Sequence, residues 1–415
     1  MEYFCILASF ACVVATYIYA SVRERTYLNV LTPTFAFMVP ANYLLDLYHL
    51  WLFGPSGSQF GYALIYACYA ATFVAFALGY LKMRLPPLRL PFTAAGATGN
   101  GLAPYLVLAA AVALYSPVLI EFRADLANPR HIYEQTRSGY GTYFFLSTAL
   151  CYLALVLIIF KARRGRFELV VFTSLCLVFL WLHGSKGQML LLVFVFSTYW
   201  VYVRAKSVAL VRFLVFGTAM MFVGVGLFLL TNPSLLLSHE DLQGIAAYSE
   251  YTRNALLVID SDVGPLYGRL SLEQQVYARV PRPLFPDKPN DYGVLYLAEH
   301  FFPDAFQAGQ GAPAFSFGPE LADFGVLALP LLFFESLLGG MLLNMFMNSL
   351  RRHRSPGDFI MVLFGSGVCL IPLPGSYLLP EILVMAIAAN ILHGMRLSPK
   401  RSVPGSAAQP GAGFR

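Results

Sequence analysis

Residues 166–204 read RFELVVFTSLCLVFLWLHGSKGQMLLLVFVFSTYWVYVR. Two apolar runs, 167–183 and 187–203, meet at the turn His183-Gly184-Ser185-Lys186-Gly187-Gln188, and Arg166 and Arg204 stand at their far ends. At about 1.5 Å per residue, a helix of this length approaches the roughly 30 Å of a bilayer's hydrocarbon core. The pair therefore reads as two membrane spans joined by almost no loop, with both basic ends on one side.

Outward from this hairpin the pattern repeats. Apolar runs of spanning length occupy 3–21, 27–46, 60–81, 101–120, 141–160, 210–230, 321–349, 357–374 and 378–395, which with the first two makes eleven. Charged residues are 12% and hydrophobic residues 58% of the 415, where a soluble domain carries about 25% charged residues. Mean hydropathy is +0.64. The fold class expected is an all-α polytopic integral membrane protein. The six cysteines all fall inside apolar stretches, with no CxxC pair and no His/Cys cluster, so neither a disulfide framework nor a metal site is expected. No Walker A, CxxCH or strand-borne GxGxxG motif is present, which argues against ATP, NAD or haem chemistry and for no cofactor.

Charge sets the orientation. Arg23 and Arg25 follow the first run; Lys82, Arg84 and Arg89 the third; Lys161, Arg163, Arg164 and Arg166 the fifth. Arg204 with Lys206, Arg351 with Arg352 and Arg354, and Arg396 with Lys400 and Arg401 continue the alternation. Basic residues in short loops mark the cytoplasmic side. The N-terminus is thus expected outside and the C-terminus in the cytoplasm. The first run lacks preceding Lys or Arg, so it reads as a retained span, not a cleaved signal. The net charge of +6 belongs to these loops, and no nucleic-acid partner is expected. Residues 1–396 form one transmembrane domain that includes a large outer loop, 231–320; residues 397–415 read as a disordered cytoplasmic tail.

Nine basic residues remain on the outer side against this bias: Arg123, Arg130, Arg137, Lys186, Arg253, Arg269, Arg279, Arg282 and Lys288. Pairing with neighbours such as Glu121, Asp125, Asp260 and Asp287 accounts for single residues. Concentration in two loops and one tight turn points instead to an anionic ligand. Loop 121–140 carries Arg130, His131 and Arg137. The turn at 183–188 places Lys186 between two glycines whose backbone permits close approach. In the large loop, Leu242, Ile245, Tyr248 and Tyr251 recur at helical spacing, as a packing face would. The run Tyr277-Ala-Arg-Val-Pro-Arg-Pro-Leu-Phe-Pro-Asp-Lys-Pro289 holds four prolines in nine residues, a stiff segment presenting Arg279, Arg282 and Lys288. Phe315-Ser-Phe-Gly-Pro-Glu320 then leads into Leu-Ala-Asp-Phe-Gly325, placing Glu320 and Asp323 at the mouth of the ninth span. Glu335 and Glu381 are acids within apolar runs, where structural pairing is the expected role.

The many spans, the late outer loop, the Gly-Ser-Lys-Gly turn, the proline-lysine run and the Phe-Gly-Pro-Glu segment together resemble the bacterial Wzy-type repeat-unit polymerases of O-antigen and exopolysaccharide synthesis. Members often carry arginine in the turn after the sixth span, where this chain has Lys186. The resemblance implies a GT-C-like membrane glycosyltransferase of the bacterial inner membrane whose active face is periplasmic. It would polymerise undecaprenyl-diphosphate-linked oligosaccharides by metal-independent, inverting transfer. Membrane lipids surround it, and a chain-length regulator and a flippase are the candidate partner proteins. Arg137, Lys186, Arg279, Arg282, Lys288, Arg130 and Arg253 are the residues expected to bind diphosphate and glycan. Glu320, Asp323 and His300 are the candidate bases, with Glu320 favoured because it immediately precedes a span. An O-antigen ligase shares this donor chemistry; a lipid-linked oligosaccharide flippase is the non-enzymatic alternative, against which the absence of a visible internal repeat counts.

Overall fold

The computed structural model describes residues 1–83, 85–93, 101–126, 128–135, 140–161, 165–184, 186–215, 217–219, 249–280, 285–308, 313–371 and 379–395. All regular structure among them is helical. In the first half run α1 (Glu2–Glu24), α2 (Thr32–Val39), α3 (Leu45–Phe53), α4 (Gln59–Lys82), α5 (Ala103–Glu121), α6 (Pro129–Gln135), α7 (Gly141–Phe160), α8 (Arg166–Leu182) and α9 (Lys186–Thr198). The second half contains α10 (Glu250–Ile259), α11 (Arg269–Tyr277), α12 (Val294–Phe301), α13 (Pro303–Gln307), α14 (Gly318–Phe324), α15 (Ala328–His353), α16 (Pro356–Gly365) and α17 (Leu379–Gly394).

Among the described residues, five helical stretches are long and apolar enough to cross a membrane: α1, α4, α5, α7 and the run Gly318–His353. The protein is therefore a multi-pass, all-α membrane protein. Two expected spans differ from the apolar runs that announced them. The run at 27–46 begins helix only at Thr32, because the Asn29 side chain accepts from the Leu31 amide at 2.9 Å and the Asn29 amide bonds the Thr32 hydroxyl at 2.8 Å. That local turn ends where Pro33, with its preset φ, opens the first helical turn. Pro40 then lacks an amide donor, and a single π-turn, Pro40–Leu44, absorbs the defect before α3 continues to Phe53. The run at 357–374 gives a helix only to Gly365, ten residues, or about 15 Å. Gly367 adopts φ +87°, and a Cβ there would lie 2.7 Å from Thr34 Oγ1, so the chain turns against α2.

The tightest packing lies between α4 and α15. A Cβ on Gly79 would sit 2.2 Å from the Leu337 carbonyl oxygen, and one on Gly340 would sit 2.1 Å from that of Phe76. Without lipid-excluding hydrophobic force between spans, close backbone contact through small residues supplies the attraction. The ends of three helices that the charge pattern puts on one side do meet: Glu24 accepts from Tyr80 at 3.2 Å and pairs with Arg351 at 3.1 Å. The candidate site lies at the opposite end.

Candidate functional site

The site is built on α10, an amphipathic helix that buries Thr252, Asn254, Ala255, Leu256 and Val258. Tyr251 of the expected packing stripe lies on it; Leu242, Ile245 and Tyr248 lie outside the described residues. Asp260 at its end accepts from the Ser58 amide at 2.6 Å. Gly57 and Gly61 make room there, since a Cβ on either would meet Asp260 or Leu256 within 3.0 Å. Asn254 Nδ2 donates to the Ala314 carbonyl at 2.8 Å, binding the segment that leads to Glu320.

This docking closes a buried polar cluster. Asp46 Oδ2, from α3, accepts from Tyr66 at 2.6 Å and from the Thr252 hydroxyl at 2.5 Å. Tyr69 OH lies 3.1 Å from Thr252 Oγ1 and 2.9 Å from Ser316 Oγ. Rings of Tyr43, Tyr66, Tyr69 and Phe317 pack around these atoms at centroid distances of 5.6–6.2 Å. The Arg253 guanidinium lies within electrostatic reach of Asp46 and His49. Glu320, one turn beyond Ser316, lies within reach of Cys68, the neighbour of Tyr69. Three oxygens here are buried with no hydrogen-bond partner among the described residues: Asp46 Oδ1, Asn42 Oδ1 and Glu320 Oε2. Burial also pushes the Glu250 carboxyl above its ordinary range, against the opposing charge of Arg253.

Asp323 behaves differently from Glu320. Its carboxylate is fully buried and accepts from the Leu270 and Ser271 amides, each at 2.9 Å, and from the Ser271 hydroxyl at 2.7 Å. It caps the start of α11, satisfying donors that a helix N-terminus leaves open. At the other end of α11, Arg279 Nε meets Glu381 Oε1 at 2.6 Å and its Nη1 donates to Gln275. Glu381 is thus a paired acid. Lys288 Nζ donates to the Val280 carbonyl at 3.2 Å and stands 4.7 Å over the Tyr292 ring, which brings Lys288 to the end of α11 where Arg279 lies. Arg282 lies outside the described residues, as does Arg137. His300 is exposed on α12 and stacks on Tyr296.

Loop 121–140 meets the 183–188 turn through backbone. Gly184 has φ +65°, and a Cβ on it would lie 2.3 Å from the Pro129 carbonyl oxygen. Arg130 on α6 and Lys186 at the start of α9 therefore flank one contact. His183 anchors it from below: fully buried, it bonds Ser147 Oγ at 2.7 Å and stacks on Tyr115 at 3.8 Å. Among the described residues, no group of three or more His, Cys, Asp or Glu is placed to hold a metal ion.

Asp46, Tyr66, Tyr69, Thr252 and Ser316 were not singled out from sequence. Asp46 carries a usable signal, an acid in an apolar run; the hydroxyl-bearing residues carry none, since only docking of α10 brings them to it.

The chain is 34% identical over 377 residues to the O-antigen polymerase of Salmonella typhimurium strain LT2, covering 90% of this chain and 92% of the relative. The O-antigen polymerase of Salmonella typhi matches to the same extent. No family model matches, and no solved structure matches.

Proposed function

The chain belongs to the Wzy-type O-antigen polymerase family, and on that premise we propose that it joins undecaprenyl-diphosphate-linked oligosaccharide repeat units on the periplasmic side of the bacterial inner membrane. The family makes the chain a glycosyltransferase. The proposed reaction is a single displacement with inversion and without a metal. The acceptor sugar hydroxyl attacks the donor's anomeric carbon, the bond from that carbon to the diphosphate oxygen breaks, and undecaprenyl diphosphate leaves with the bonding electrons. Eleven spans with the N-terminus outside and the C-terminus in the cytoplasm, in a GT-C-like arrangement, go with this reading. So does one transmembrane domain, 1–396, whose 231–320 segment faces the periplasm, followed by the cytoplasmic tail 397–415. A chain-length regulator and a flippase are the proposed partner proteins.

Glu320 takes the acceptor proton in this scheme. The observation that supports it most is the buried Glu320 Oε2, which has no hydrogen-bond partner among the described residues. A carboxylate oxygen withdrawn from water and left without a donor is available to an incoming hydroxyl. Asp323, whose oxygens are occupied by α11, becomes a positioning residue, and exposed His300 is placed on the acceptor's approach. Arg253, Arg282 and Lys288 with Arg130, Arg137 and Lys186 supply the positive charge that a departing diphosphate needs; Arg279 holds their loop through Glu381.

The test uses purified protein with defined undecaprenyl-diphosphate repeat units and resolves products by size. A ladder formed without lipid A core is expected, and distinguishes polymerase from ligase. Glu320→Gln should slow elongation by about 10²–10⁴-fold with unchanged thermal stability. Elongation at the parent rate by this variant would remove Glu320 from the mechanism.

A further inference from the structure

Where the basic connections gather, far from the site above, lies a cavity of about 540 Å³. Its walls come from the end of α7 (Ile159, Phe160, Lys161), the start of α8 (Gly165, Arg166, Leu169), the π-turn that follows α9 (Tyr199, Val203, Arg204) and Arg354 at the end of α15. Lys161 is neutralised by Glu168. Arg166, Arg204 and Arg354 are exposed and enter no ion pair among the described residues. Arg204 stands 5.8 Å over the ring of Tyr199, which also lines the cavity.

Three guanidinium groups lining one void sum to a positive field that draws an anion into it. Snorkelling alone would send each along its own helix to water and would leave no shared space. Here the space is large enough for a headgroup, as small-ligand cavities run roughly 300–1,000 Å³. It is also two-faced, with Ile159, Phe160, Leu169 and Val203 apolar and the arginines cationic. A free phosphate would use the cations and leave the apolar wall unoccupied. A phosphodiester attached to acyl chains uses both.

We propose that this cavity is a binding site for the headgroup of an anionic glycerophospholipid of the leaflet at the basic end. Its phosphodiester lies among Arg166, Arg204 and Arg354, with its glycerol and first acyl carbons against Leu169 and Phe160. Basic pockets between spans select anionic lipids through such charges.

The experiment is native mass spectrometry of the full-length protein in neutral detergent, titrated with phosphatidylglycerol, with phosphatidylcholine or with inorganic phosphate. Phosphatidylglycerol should remain bound under activation that strips phosphatidylcholine. Arg166→Gln, Arg204→Gln and Arg354→Gln should each weaken it about fivefold, and the triple variant should lose the preference. Lys82→Gln, at the same end but outside the cavity, should bind as the parent does. Leu169→Trp keeps every charge and fills the apolar wall, so it should also release the lipid; it carries the test if the triple variant does not fold. Equal retention of both lipids, or undiminished phosphatidylglycerol binding by either the triple or the Leu169→Trp variant, would overturn the proposal. Stable retention of inorganic phosphate that displaces the lipid would overturn it too, by making this a site for free phosphate.

Discussion

Adding one methyl group at the α4–α15 crossing should loosen the whole bundle. In Gly79→Ala the new Cβ would lie 2.2 Å from the Leu337 carbonyl oxygen and 2.9 Å from the Met341 amide nitrogen. Carbon and carbonyl oxygen tolerate about 3.3 Å, so the helices must part by roughly 1 Å. A gap of about 0.5–1 Å already forfeits a quarter to a half of each dispersion contact along the seam. The obstacle is backbone, which cannot rotate away. The cost should therefore reach the upper end of overpacking penalties, about 3 kcal/mol, or roughly 150-fold in the folded-to-unfolded ratio. Gly340→Ala, 2.1 Å from the Phe76 carbonyl oxygen, should cost as much. The double variant should cost well under the sum, because the first substitution has already separated the helices. Gly339→Ala is the control: its Cβ meets only the Phe76 ring, at 3.8 Å, an ordinary contact. Unfolding midpoints in mixed micelles, followed by tryptophan fluorescence, give the comparison. If Gly340→Ala unfolds with the Gly339→Ala variant, the close crossing does not hold these spans together. Elongation should fall as well, because α4 carries Tyr66 and Tyr69 while α15 follows directly from the segment holding Glu320.

The Arg279–Glu381 pair, with side chains 34% and 25% exposed, should show a coupling energy of about 1 kcal/mol in a double-mutant cycle of glutamine variants. Both single variants should lose elongation equally if Arg279 positions the loop; loss confined to Arg279→Gln would make it a phosphate contact. Asp323→Ala should destabilise the protein by about 1–2 kcal/mol through the lost cap of α11, and Asp323→Asn by less, since an amide oxygen still accepts; equal midpoints for the two variants would contradict this. For Glu250, burial raises the folded-state pKa above that of the unfolded chain. Its contribution is therefore present at low pH and lost as pH rises through the raised value. Denaturant midpoints of Glu250→Gln should match the parent near pH 4 and exceed it near pH 8, and the reverse order would refute the sign.

Apolar length announced the long spans because 19 to 24 consecutive helical residues leave α1, α4, α5 and α7 few other homes. Where the runs misled, a local competitor decided: the Asn29 turn and Pro40 for the second run, and Gly367 for the run that α16 begins. None of these stops its run from being apolar overall. The site was legible in charge but not in partnership. Glu320 and Asp323 are three residues apart and alike in composition, yet Asp323 faces the open amides of α11 while Glu320 Oε2 meets no donor among the described residues. That difference depends on where α11 lands, its Leu270 lying 53 residues before Asp323 in the chain. Asp46 was visible in principle as an acid among apolar neighbours, but Thr252, its partner, comes from a helix that only Gly57 and Gly61 allow to dock.

The division of labour among the cations follows from how each is already engaged. Arg279 spends its donors on Glu381 and Gln275, so recruiting it for a diphosphate would mean breaking a geometry that holds the end of α11. Lys288 donates to a neutral carbonyl, that of Val280, and has the Tyr292 ring beneath it. Exchanging a carbonyl for a phosphate oxygen strengthens that bond, since charge-assisted hydrogen bonds are about twice as strong as neutral ones. The pair, on the proposed reading, works best when unequal: the arginine keeps the loop in place, and the lysine beside it turns toward the ligand. On the proposed reading, diphosphate binding would draw Lys288 from Val280 without disturbing Arg279, leaving α11, its Asp323 cap and hence Glu320 in register for the acceptor.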